Sequence, residues 1–215
     1  MYRNHKKDVV FKWVYINPVN SIESIYSVGG DGNCGFRAVS FGVFKDQTKW
    51  IKVKRDMLET YLKYHDTLYL DVNEKIIDSE RAKMIKRLNS TKSPCLGTDD
   101  LELWFGNISC PQIVADTYER PVLVYSFVSY TLSTGEVRNN FESSVFFPLI
   151  NMDMASTKKP ITILCSFNHY YYIEFKRTPT GRLKKFEKPR INMDHHRIRQ
   201  QFPDICNKVD YSKLF

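Results

Sequence analysis

Two kinds of hydrophobic spacing divide this chain, and their order limits the folds open to it. As far as Tyr118 the apolar residues recur at helical intervals; beyond Pro121 they alternate or run together as they do in strands. Phe36, Val39, Ser40, Val43 and Phe44 mark a first helix that begins near Cys34. Trp50 to Tyr64 places Ile51, Leu58, Tyr61 and Leu62 on one face, and His65 ends this helix, which reads as a surface one. Asn73 to Leu88 places Ile76, Ile77, Met84, Ile85 and Leu88 together, opposite a side rich in Lys, Arg and Glu. Asn89 to Pro94 reads as a linker, and Leu101 to Phe105 carries Trp104 as an aromatic anchor. Cys110 to Tyr118, with Pro111 in its first turn, reads as a short buried helix. Strands are expected at Pro121 to Ser126, Val145 to Phe147, Ile161 to Cys165 and Tyr170 to Phe175, with only Ser166 to His169 between the last two. Helices first and strands last is an α+β order: a helical half packed on a small, mostly antiparallel sheet.

A length of 215 residues suits one such domain with short extensions, and 42% hydrophobic residues are enough for a core. Residues 1–25 read as an N-terminal extension, 26–176 as the domain and 177–215 as a basic, polar tail. Ile22 to Val28 fits either a short helix or a strand. The net charge of +8 permits attraction to nucleic acid, acidic proteins or anionic membranes without selecting one. A lysine-rich solvated surface is the plain reading. The run Arg182 to Arg190 keeps a weak nucleic-acid contact or a nuclear signal open.

The 5 cysteines are odd in number, widely spaced and without a CxxC pair, which excludes a disulfide framework and a zinc ribbon. They fit a reducing compartment. Val9-Val10-Phe11 is interrupted by Asp8 and Lys12, a poor signal peptide, and no stretch approaches the ~20 apolar residues of a membrane span. The expectation is a cytoplasmic or nuclear protein, with no membrane partner and with the sequons at Asn89 and Asn107 unused.

The chemistry gathers at Gly29-Gly30-Asp31-Gly32-Asn33-Cys34, a run that can only be a tight turn feeding a helix. A cysteine there meets unpaired N–H groups and the positive end of the helix dipole, which predicts a stabilised thiolate with a lowered pKa. The glycines let successive amides converge into a nest suited to an oxyanion. Of the 5 histidines, His5, His195 and His196 lie towards the ends of the chain. His169, between two apolar strands, is best placed to serve as a rigid base. The competing readings are a buried structural cysteine and a histidine in a β-turn. Gly30-x-Gly32-x-x-Gly35 also fits the dinucleotide fingerprint, but helix stands where its second strand is required, and no GK[ST] follows. His195-His196 with Cys206 makes a poor metal site, because adjacent histidines do not converge on one ion.

Asp31-Gly32-Asn33-Cys34-Gly35-Phe36-Arg37-Ala38 resembles the D-G-N-C-L-[FY]-R-[AS] signature of OTU (ovarian tumour) cysteine proteases, with Gly35 where Leu is usual. Phe167-Asn168-His169-Tyr170 resembles that family's late histidine with its following aromatic. Trp104-Phe105, Ala115, Tyr118 and Pro121 to Tyr125 resemble its W-G-x…A-x-x-[YF]-x-x-P-[IV]-x-V-[YF] stretch. Three blocks in order are specific where one alone is weak. The resemblance implies a papain-like fold of the OTU type and a deubiquitinase, cutting the isopeptide bond after ubiquitin's C-terminal glycine without metal or cofactor. It implies Cys34 as nucleophile, His169 as base, Asp31 among the active-site residues, and the amides around Gly32 and Asn33 as oxyanion donors. Its partners would be ubiquitin or polyubiquitin chains. Many members carry Asn or Asp two residues after the histidine to orient it; Tyr171 stands there, leaving Asp31, Asn168 or a backbone carbonyl as candidates. A ubiquitin-binding module without turnover and a protease for another ubiquitin-like modifier are the alternative readings.

Overall fold

The structure, a computed structural model, describes residues 22–69, 74–93, 99–151, 158–166, 168–176 and 190–191. His5, Cys95, Phe167, His195, His196 and Cys206 lie outside the described residues, as does most of the basic tail.

The chain opens with β1 (Ile22–Ser27), which resolves the ambiguity of that segment as a strand, and passes through the glycine turn into α1 (Cys34–Phe44). Then follow α2 (Trp50–Leu68), α3 (Glu74–Asn89), a short 3-10 turn at Asp99–Leu103, and α4 (Ser109–Tyr118). The strands β2 (Val122–Thr131), β3 (Val137–Phe146), β4 (Ile161–Ser166), β5 (His169–Phe175) and β6 (Arg190–Ile191) complete an α+β arrangement. The sheet order is β1-β5-β4-β2-β3-β6. Pairs β1–β5, β4–β5 and β2–β3 are antiparallel, while β2–β4 and β3–β6 are parallel. Part of the basic stretch thus returns to the sheet, with Arg190 and Ile191 opposite Ser144 and Val145.

Alternation sorts the strand residues between two cores. Val122, Val124, Ile161, Ile163, Tyr170 and Tyr172 face α1, α2 and α4, where they meet Phe36, Val39, Val53 and Met57. Leu123, Tyr125, Val145, Leu164 and Ile173 form a second cluster on the other face. Helix α1 lies across β5 and β4, so its N-terminus comes to the end of the sheet where β5 begins.

Helix α2 corrects two expectations. Its buried side is Trp50, Val53, Lys54, Met57, Tyr61 and His65, while Ile51 and Leu62 are 41% and 47% exposed. The true stripe contains a lysine and a histidine, and so does not read as apolar. Lys54 Nζ donates to the Ser90 carbonyl at 3.0 Å, beyond the end of α3, and lies 4.5 Å from the centre of the Phe36 ring and 5.3 Å from that of Trp50. Burial pushes its amine down to about 8. His65, expected on the surface, is buried, edge-to-face with Tyr61 and 2.8 Å from Asp66.

Asp116 of α4 is a buried fastening point. One oxygen accepts from Tyr69 Oη (2.7 Å) and Gln112 Nε2 (3.1 Å); the other accepts from the backbone N–H of Leu149 (2.6 Å) and Ile150 (3.4 Å). Burial outweighs these donors and pushes its carboxyl up to about 6.

Candidate active site

The glycine turn is held in place from four directions. Gly32 has φ +79°, a left-handed conformation that suits glycine. Arg37, one turn into α1, forks onto Asp31 with Nε–Oδ1 at 3.0 Å and Nη2–Oδ2 at 2.6 Å. Asp31 Oδ1 also accepts the Asn33 N–H at 3.1 Å, and Ser93 Oγ lies 3.4 Å from Oδ2. Asn33 is fully buried and donates from Nδ2 to the Lys92 carbonyl at 3.1 Å. Gly29 N–H donates to Gln47 Oε1 at 2.8 Å. Burial raises the Asp31 carboxyl, but the Arg37 and Asn33 hydrogen bonds prevail and hold it below the usual carboxylate range. Asp31 fixes the loop, with its charge already committed to Arg37.

Cys34 is the first residue of α1 and is 4% exposed. The backbone N–H groups of Tyr170, Gly35 and Cys34 itself favour its thiolate. His169 is the first residue of β5 and is half-buried. It lies against the same loop: a methyl built on Gly30 would sit 3.7 Å from both Cε1 and Nδ1 of its imidazole. The fold therefore brings the glycine turn, Cys34 and the start of β5 to one place.

The expectation of a lowered thiol pKa is corrected. Burial pushes the Cys34 thiol up, the three N–H groups work against that, and the Asp31 carboxylate adds to the rise. A helix N-terminus stabilises a thiolate only as far as desolvation allows. Burial also pushes the His169 imidazole down. Both shifts favour a neutral thiol and a neutral imidazole. The expected oxyanion nest loses one member, since the Asn33 N–H is taken by Asp31. Asn168 is an exposed turn residue with φ +63°, which gives it a conformational part in the β4–β5 connection.

Sequence reasoning missed two features. The stretch Asn89 to Pro94 reads as a linker, yet its Lys92 carbonyl and Ser93 hydroxyl hold the glycine turn at Asn33 and Asp31. No local pattern announces contacts made by a carbonyl and a hydroxyl. The other is a reciprocal exchange of volume. A Cβ on Gly35 would lie 2.3 Å from Phe105 Cβ and 2.5 Å from Cγ. Phe105 is buried between Phe36 and Tyr170, edge-to-face with both at 5.1 and 5.3 Å. Where the resembled signatures carry Leu and then Gly, this chain carries Gly35 and Phe105. Phe105, rather than the half-buried Trp104, is the aromatic anchor. Its carbonyl accepts the Tyr170 hydroxyl at 3.0 Å, and Asn107 Oδ1 accepts it as well.

No protein-family model matches the sequence, and no curated protein matches it. Among solved structures, the chain is similar to the viral OTU domain protease from Qalyub virus, at 17% identity over 71% of this chain and 84% of that one, with a TM-score of 0.44. The viral OTU domain protease from Farallon virus is similar at 13% identity over 72% and 85%, with a TM-score of 0.43. The Hazara virus OTU, solved bound to ubiquitin, is similar at 13% identity over 78% and 99%, with a TM-score of 0.39.

Proposed function

We propose that the chain is an OTU-type cysteine protease that hydrolyses the isopeptide bond at the C-terminus of ubiquitin. The observation that carries the chemistry is one arrangement: Cys34 opens α1 straight after the glycine turn, and His169 stands within methyl-contact reach of Gly30 of the same turn. Ubiquitin enters through the resemblance of the three sequence blocks. His169 takes the thiol proton as the Cys34 sulfur attacks the glycine carbonyl. Backbone amides of the turn stabilise the oxyanion. The tetrahedral intermediate expels the lysine amine, which leaves with the proton from His169. Water, deprotonated by His169, then cleaves the thioester and restores the thiol.

Ubiquitin carrying an electrophilic C-terminal warhead tests this. The wild type is expected to form a covalent adduct, with Cys34→Ala giving none and His169→Ala losing about a hundredfold or more in rate. A folded wild type that binds ubiquitin without an adduct would favour the module without turnover, a reading that Tyr171 at the usual orienting position supports. Adducts only with other ubiquitin-like probes would change the substrate. We further place the protein in the cytoplasm or nucleus, where the thiol would stay reduced.

The pKa shifts set the pH profile. His169 acts as the base when neutral, and its folded pKa lies below the ordinary 6.5. The acid limb of kcat/KM is therefore expected below pH 6.5, measured with a fluorogenic ubiquitin amide. Alkylation of Cys34 by iodoacetamide is expected to keep rising through pH 9, the ordinary thiol value, because its own pKa lies higher. Alkylation that saturates near or below neutrality would instead indicate a resting thiolate–imidazolium pair.

A further inference from the structure

We propose that Tyr171 is the positioning residue of His169, holding the imidazole by ring packing in place of a hydrogen-bonding side chain. The inference rests on the catalytic reading of His169 above.

His169 and Tyr171 are i and i+2 on β5 and so project to the same face. Their ring centroids are 4.6 Å apart, with planes at 81°. This edge-to-face contact has the geometry aromatic pairs prefer. Gly30 lies against the imidazole as well, within ordinary contact distance of Cε1 and Nδ1 for any added methyl. The imidazole is thus packed on one side by an aromatic ring and faces the glycine turn with room for about one methyl between them.

The support behind Tyr171 is rigid. β5 is an interior strand, and Tyr171 pairs with Ser27 of β1 and Leu164 of β4. Its half-buried side chain packs against the second core cluster. A base must point one nitrogen at the thiol, so fixing the ring plane is most of what an orienting residue does. An aromatic ring differs from Asn or Asp in one respect. It fixes the plane without accepting a hydrogen bond from an imidazole N–H, and so adds no strong preference for the imidazolium. That agrees with an imidazole whose pKa lies below its ordinary value.

The test uses the whole chain with Tyr171→Leu, which keeps apolar bulk on the sheet but no ring, and Tyr171→Phe, which keeps the ring. With a fluorogenic ubiquitin amide, Tyr171→Leu is expected to lower kcat by about ten- to a hundredfold with KM within about twofold. Tyr171→Phe is expected to recover most of that loss. The His169 ring is followed by NMR through a pH titration of the same proteins. In Tyr171→Leu its pKa is expected to move up towards 6.5 and its ring signals to broaden, while Tyr171→Phe keeps the wild-type behaviour. If Tyr171→Leu, folded by circular dichroism, leaves kcat and the His169 titration as in the wild type, the proposal is overturned. A wild type without turnover would defeat the proposed function alone. The NMR arm would then decide: altered His169 signals in Tyr171→Leu sustain the positioning role, and unaltered ones reject it. Should Tyr171→Leu fail to fold, Tyr171→Met carries both readouts.

Discussion

Gly35→Leu is expected to destabilise the protein by about 3 kcal/mol and to abolish activity, although it restores the residue usual in the resembled signature. Its Cβ would fall 2.3 Å from the Cβ of Phe105, so the clash begins at the first side-chain atom of each residue. A rotamer change of Phe105 gives no relief, and Phe105→Ala would leave the colliding atom in place. Phe105→Gly alone removes a buried ring from between Phe36 and Tyr170 and is expected to cost about 3–5 kcal/mol. The double variant Gly35→Leu/Phe105→Gly lets leucine occupy the vacated volume. It is expected to be more stable than Phe105→Gly alone, with a coupling of about 2–3 kcal/mol. Urea unfolding of the four proteins measures the cycle; costs that simply add would show that the two sites do not share one volume. Activity should follow stability, because the Phe105 carbonyl holds the Tyr170 hydroxyl, and Tyr170 directly follows His169 on β5.

Asp116→Ala is expected to cost about 3–5 kcal/mol, a large part of the roughly 5–15 kcal/mol that keeps a domain folded. The carboxylate satisfies donors from three parts of the chain: Tyr69 beyond α2, Gln112 on α4, and the Leu149 and Ile150 amides after β3. Gln112 keeps the Phe147 carbonyl at 2.8 Å, so the Tyr69 hydroxyl and the Leu149 N–H bear most of the loss. Asp116→Asn separates acceptor from shape. Its carbonyl oxygen can serve the two backbone amides, but its NH2 then faces the Gln112 donor, so an intermediate cost is expected. Urea midpoints at neutral pH check the order wild type, Asn, Ala; an Ala variant within about 1 kcal/mol of wild type would show that solvent replaces the carboxylate.

The parts legible in the sequence depend on contiguous pattern. The glycine run, the helix from Cys34 and the strands β4 and β5 each declare themselves within a dozen residues, and the structure has them at nearly the expected bounds; β2 runs on to Thr131, and β3, expected only at Val145 to Phe147, begins at Val137. The nucleophile and the histidine were legible as candidates for the same reason, and the fold brings their surroundings together. The rest depends on partners distant in sequence. His65 reads as a surface residue, and Lys54 does not enter the expected buried stripe, because their compensation, Tyr61 and Asp66 for one and a carbonyl and aromatic rings for the other, is visible only in three dimensions. The thiol pKa was misjudged because the helix end can be read from a motif, whereas the depth of burial cannot. Tyr171 is not among the orienting candidates read from sequence, because sequence compares hydrogen-bonding capacity and does not show ring geometry.

The pairing of β1 with β5 has a consequence for a chain made from its N-terminus on the ribosome. Tyr26 and Glu174, hydrogen-bonded in the finished sheet, are 148 residues apart. In the proposed protease, the turn bearing Cys34 hangs between β1 and α1, and His169 arrives with β5. Until that strand has emerged, β1 lacks its partner and Cys34 lacks its proposed base. Under that reading chemical competence comes at the close of the domain's synthesis, as a property of the assembled sheet, and a nascent chain carries its cysteine through the exit tunnel without the means to use it.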